Sequence, residues 1–202
     1  MFAWFQKTSP ENRGALLLVF GISIFGFSDN LTLLVSDKVG VGQFHLCRSI
    51  FAILLIIAVS RFLDYSMMPV RWKPMIARTA FMVIAIFVYF SVMPMMPIAE
   101  AGAGLFTSPI FVLLFSSLFF RERIGWRRTL AVAVGTAGVL LILKPGQAGF
   151  SPFRLLPVVS GACYALGSII TYRYLSIESP MAILMSFFVA IGLCGALVAS
   201  SF

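Results

Sequence analysis

Charge is scarce in this sequence. Of 202 residues, 15 are Lys or Arg and 7 are Asp or Glu, so charged side chains make up only 11%. A soluble domain carries about 25%. At 60% hydrophobic, the chain has too little polar surface to coat a water-soluble fold of its length. The single histidine, His45, rules out an HExxH pair or any multi-histidine metal site. The three cysteines, Cys47, Cys163 and Cys194, all lie inside apolar runs, with neither metal-ligand spacing nor a disulfide framework. No GxSxG, GxGxxG or Walker A stretch occurs. A nucleophile elbow, a dinucleotide cradle and intrinsic ATP hydrolysis therefore have no sequence basis. The chain reads as a non-enzyme, with no metal and no cofactor expected.

Long apolar runs are what the sequence does have. Seven can be drawn, at about 14–36, 41–60, 74–94, 98–119, 126–143, 155–174 and 180–202. Each is close to the ~20 residues that cross ~30 Å of hydrocarbon as a helix. Lipid offers no partner for unpaired backbone groups, and the runs do not alternate as barrel strands do. The expected fold is an all-α polytopic helix bundle with the lipid bilayer as its solvent. The run that starts at Gly14 exceeds a signal-peptide core of about 7–15 residues, and only "VSDKVG" follows it, so it reads as a retained span. Span seven reaches Phe202 without a charged anchor, which reads as a bundle cut short.

The net charge of +8 sits in the connections, not in a patch interleaved with aromatics, so no nucleic-acid partner is expected. Eleven Lys and Arg residues fall at the N-terminus, in the second, fourth and sixth connections and at adjacent helix ends. The opposite side has three: Lys38, Lys144 and Arg154. That bias predicts a cytoplasmic N-terminus.

The remaining cation, Arg48, lies within span two. Asp29 (with Asn30 beside it) lies seven residues before Ser36, and Arg48 lies seven after Val41. In an antiparallel hairpin both sit about 10 Å below the outer boundary. A charge at that depth normally faces a partner or a water-filled cavity. Arg48 and Asp29 are therefore predicted to border a polar cavity. His45, three residues earlier on the same helical face, would extend its wall outward. The competing expectation is an Arg48 that snorkels to the interface. In span four, Pro109 lies near mid-bilayer and cannot donate to Leu105, so a kink is expected there, with Thr107 and Ser108 available to the freed carbonyls. Kinked helices at the midplane are where transporters place substrates. Small-residue pairs, Gly102 with Gly104, Ala131 with Gly135, Gly161 with Ala165 and Gly192 with Ala196, predict close helix contacts.

The stretch "AEAGAGLFTSPIFVLLFSSLFFRERIGWRRTLAVAVGTAGVLLILKPG" resembles the end of an EamA-type repeat of the drug/metabolite transporter superfamily. The features are its small-residue start, Pro109, Glu122 just past the span, and the Gly135 and Gly138 helix leading into "LLILKPG". "FHLCRSIFA", with Arg48, and "ENRGALLLVFGISIFGFSDN" resemble that family's second and first spans. The resemblance implies ten spans in two inverted five-helix repeats, of which seven are present: residues 1–146 as the first repeat and 147–202 as the start of the second. It implies a secondary transporter of the bacterial inner membrane, working by alternating access, with Tyr89 and Tyr164 as further candidates to line a central site. Substrates of such carriers include amino acids, nucleotide-like metabolites, S-adenosylmethionine, riboflavin and drugs. A homodimer is compatible with it. The rival expectation is a non-transporting fragment or assembly subunit that needs a partner to complete its bundle.

Overall fold

A computed structural model describes residues 39–121, 125–143 and 152–200, together with 12, 14, 16–17, 19–21, 23–24 and 26–27. The chain divides into two compact units, Met1–Lys38 and Val39–Phe202. In the first, the described residues of 12–27 are helical (α1), and Ser23 Oγ donates to Val19 O at 2.8 Å along that helix.

The second unit holds α2 (Val41–Leu63), α3 (Trp72–Val92), α4 (Ile98–Leu105), α5 (Ser108–Phe120), α6 (Trp126–Leu143), α7 (Leu156–Tyr174) and α8 (Pro180–Ser200), with short 3-10 turns at Met93–Met95 and Pro152–Leu155. No strand occurs among the described residues. Five helical segments there are long and apolar enough to cross a membrane: Val41–Leu63, Trp72–Met95, Ile98–Phe120, Phe153–Tyr174 and Pro180–Ser200. The expected fifth span is the helix Trp126–Leu143, which opens on Trp126, Arg127 and Arg128 and is not among those five. The outer part of the expected first span lies outside the described residues.

Prolines punctuate these helices. Pro74, Pro109, Pro157 and Pro180 all lie in first turns, where a missing N–H costs nothing, and Pro94 and Pro97 occupy the break between α3 and α4. The α2 helix closes on Asp64 in the left-handed conformation, whose N–H donates back to Ser60 O.

Two helix pairs dominate the packing: α2 with α8, and α3 with α7, which also meets α4 and α5. Small residues set the first pair. A Cβ on Gly195 would stand 2.8 Å from Gly42 O and 3.0 Å from Leu46 N, and one on Gly192 would stand 2.9 Å from Ser49 Cβ. Backbones this close are the usual mode of helix association in lipid. In the second pair, Met82 fills the space over Gly167, and Ser160 Oγ donates to Ala85 O at 2.6 Å in a fully buried position. Three of the expected small-residue contacts differ: a Cβ on Gly102 meets only the nearby Phe106 ring, at 3.8 Å. Gly195, not Ala196, joins Gly192 against α2, and a Cβ on Gly135 meets nothing within 4 Å, so among the described residues that face of α6 is uncovered. Spacing along one helix identifies a smooth stripe but not which stripe a neighbour covers.

Candidate functional site

The α2 helix places His45, Arg48 and Ser49 on the side turned toward α3 and α8. His45 is completely buried. Its ring lies 4.9 Å from the rings of Phe87 and Phe90 and 5.4 Å from that of Phe44, and its Cβ lies against Gly195. Neither ring nitrogen has a hydrogen-bond partner among the described residues, and the same is true of the buried Ser49 hydroxyl. The imidazole is thus boxed by aromatics and faces no open space, in contrast to the polar wall expected from its helical position. Two walls of that box, Phe87 and Phe90, come from α3, which spacing within α2 cannot reveal.

Arg48 is half-buried. Its guanidinium carbon lies 5.8 Å from the Phe90 ring centre and 5.7 Å from that of Phe188, within cation–π range of α3 on one side and α8 on the other. Above this aromatic layer, toward the start of α2, a recess of about 550 Å³ opens, lined by Gly40, Gly42, Gln43, Ser91, Val198 and Ala199 among others. Gln43 and Ser91 give it polar groups that carry no sequence signal of their own. Asp29 and Asn30 lie outside the described residues.

The α-helix of span four is interrupted by two residues whose backbone stays in the right-handed helical region. Helix α4 ends at Leu105, Phe106 and Thr107 form a turn, and α5 begins at Ser108. The break therefore precedes Pro109, which sits exposed in the first turn of α5, where its ring clashes with nothing. Thr107 is buried, and both its N–H and its hydroxyl donate to Gly104 O, not to the Leu105 carbonyl that Pro109 leaves free. The half-buried Ser108 opens α5. Gly161 of α7 backs onto the turn: a Cβ there would stand 2.6 Å from Thr107 Oγ1 and 2.9 Å from Gly104 O. Tyr89 is buried edge-on to Phe90, and Tyr164 on α7 keeps 39% of its surface exposed.

Two charged residues were missed as site features. Arg78 lies about 9 Å along α3 from its start. There its Nε donates to Thr171 Oγ1 and its Nη1 to Ile183 O, each at 3.3 Å, and it lies over Phe187. In the sequence it merges with the helix-end cations Arg71 and Lys73. Glu178, in the connection between α7 and α8, is buried and accepts bonds from backbone N–H groups more than a hundred residues away. No pattern of residue types announces such a pairing. Among the described residues no cluster of His, Cys, Asp or Glu is suited to a metal ion.

Comparison with known proteins gives this bundle a family. The EamA-like transporter family matches residues 12–144. The chain belongs to the EamA-like transporter family. The riboflavin transporter of Rhizobium johnstonii is 40% identical over 87 residues, 43% of this chain and 29% of that protein. The S-adenosylmethionine uptake transporter of Rickettsia bellii is 31% identical over 88 residues, 44% of this chain and 30% of that protein. The pseudopaline exporter of Pseudomonas aeruginosa is 26% identical over 179 residues, 88% of this chain and 63% of that protein. The chain thus spans less than two thirds of the length of each of these relatives. No solved structure matches it. With its membrane-capable helices and bacterial relatives, this EamA chain is a multi-pass protein of the bacterial inner membrane.

Proposed function

We propose that this chain forms the first repeat (residues 1–146) and the opening of the second (147–202) of a secondary transporter that moves a small metabolite by alternating access, driven by a gradient. The transport cycle is proposed for the full-length protein, with the N-terminus in the cytoplasm. The observation that carries this reading is Arg48, a cation kept within a membrane helix and within cation–π range of both Phe90 and Phe188. A charge at this depth normally faces a partner or a water-filled cavity, and a ligand pathway is one such cavity. The turn at Phe106–Thr107, backed by Gly161, supports the same reading, because transporters place substrate sites at interruptions in membrane helices.

Nucleotide-like metabolites suit the site best. Riboflavin and S-adenosylmethionine, the compounds in the names of two relatives, each carry a planar nitrogen heterocycle. Arg48 offers a donor for carbonyl, carboxylate or phosphate oxygen, and the half-buried Phe188 beside it an aromatic ring. The test is uptake and efflux of a panel of flavins, adenosyl compounds and amino acids by proteoliposomes that contain the full-length protein, with and without a proton gradient. Movement of a heterocyclic compound is expected. Failure of every compound in both directions would refute transport, and movement of amino acids alone would refute the substrate class.

A further inference from the structure

The two ends of the bundle are tied in different ways. At one end, Glu178 reaches from the α7–α8 connection to the start of α3. Its Oε1 and Oε2 accept from Val70 N–H at 3.0 and 2.9 Å, and Oε1 accepts from Arg71 N–H at 2.6 Å. These N–H groups immediately precede the first turn of α3, so the carboxylate sits at the positive end of that helix from a different part of the chain and complements its dipole. The glutamate is held in turn by its own N–H, which donates to Leu175 O at 3.0 Å, while Arg71 Nη1 donates to Tyr174 O at 3.3 Å. With Glu178 only 7% exposed, water does not compete for these bonds. At the other end, Arg154 before α7 faces Glu100 of α4 across 3.6 Å, with the arginine 38% exposed. That pair is longer, and on the arginine side it is open to water and screened by salt. Both ties join the family-matched region, 12–144, to the helices that follow it.

We propose that Glu178 is a latch: its carboxylate, bound to the backbone N–H groups of Val70 and Arg71, holds this end of the bundle shut, and its release opens that end while the Glu100 end stays closed. This rests on the alternating-access reading and names the contact that such a cycle must break at the Arg71 end. The latch acts through backbone donors, so side-chain changes at Val70 leave it intact, whereas changes to the Glu178 carboxylate undo it. Ala182, four residues after Glu178 and fully buried, reports on that end.

The test uses full-length protein with Cys47, Cys163 and Cys194 replaced by serine and Ala182→Cys introduced, labelled in detergent by a water-soluble maleimide. Labelling should be slow in this background and about tenfold faster or more with Glu178→Ala added, because reaction follows the population of the locally opened state. Glu178→Gln keeps one acceptor oxygen and should fall between. Glu100→Ala, at the opposite end, should leave the rate unchanged. If Glu178→Ala labels no faster, or Glu100→Ala accelerates labelling as much, the latch is refuted. Should Glu178→Ala fail to fold, Glu178→Gln decides alone, an unchanged rate refuting it. Uptake measured on the same preparations separates the two ideas. Fast labelling in Glu178→Ala without uptake by the unmutated protein sinks transport and leaves the latch, and uptake with unchanged labelling does the reverse.

Discussion

Replacing Gly195 by alanine probes the close approach of α2 and α8. The added methyl would stand 2.8 Å from Gly42 O and 3.0 Å from Leu46 N, where ordinary contact begins at 3.4 Å. Both atoms belong to backbone, which cannot swing aside as a side chain does, so α2 and α8 must part by about 0.6 Å. Overpacking of this kind costs about 1–3 kcal/mol. Alanine also returns about 1 kcal/mol of helix propensity. Gly135→Ala isolates the clash, since a methyl there meets nothing within 4 Å and gains the propensity alone. The expected gap between the two variants is thus about 1–3 kcal/mol, with Gly195→Ala the less stable. It is read by reversible unfolding of the full-length protein in mixed micelles, titrated with dodecyl sulfate and followed by circular dichroism. Equal stability of the two variants would refute the close α2–α8 approach. The same parting would also shift Arg48, one turn from His45, relative to Phe188.

Ser160→Ala removes the buried bond to Ala85 O and should lower stability by about 0.5–1.5 kcal/mol in the same titration, an unchanged midpoint contradicting the α3–α7 contact. Thr107→Val keeps the branched shape at the break but loses the bond to Gly104 O, with a similar expected loss, and no loss would mean that the turn does not depend on it. A double-mutant cycle on Glu100 and Arg154 should give a coupling of at most about 1 kcal/mol that shrinks in high salt, because the arginine is 38% exposed, and a larger, salt-independent coupling would contradict its loose geometry.

Much of the helical framework was legible because bilayer thickness dictates run length. The expected fifth span, 126–143, coincides with its helix, and the ends of spans two, three, four and six moved by only a few residues. Proline chemistry was legible as a disruption at Pro109 but not in its position. A proline is as comfortable just after a break as it is disruptive within a helix, and the turn fell at Phe106 and Thr107. Arg48 was legible as an anomaly because a lone cation in an apolar run needs an explanation. Phe90 and Phe188, which flank it, were not, since the sequence holds 21 phenylalanines and no pattern marks those two. The enclosure of His45 and the reach of Glu178 depend on elements distant in sequence, so only the assembled helices display them.

The most direct test of the account is gradient-driven uptake by the full-length protein carrying Arg48→Leu, compared with the unmutated protein at equal folded yield. Leucine preserves the apolar packing of α2 and removes the donor that the ligand pathway requires. Uptake should fall about tenfold or more, the loss of one charge-assisted contact of about 1.5 kcal/mol, with Arg48→Lys falling between. Undiminished uptake by Arg48→Leu would contradict the claim that this cation borders the transport path.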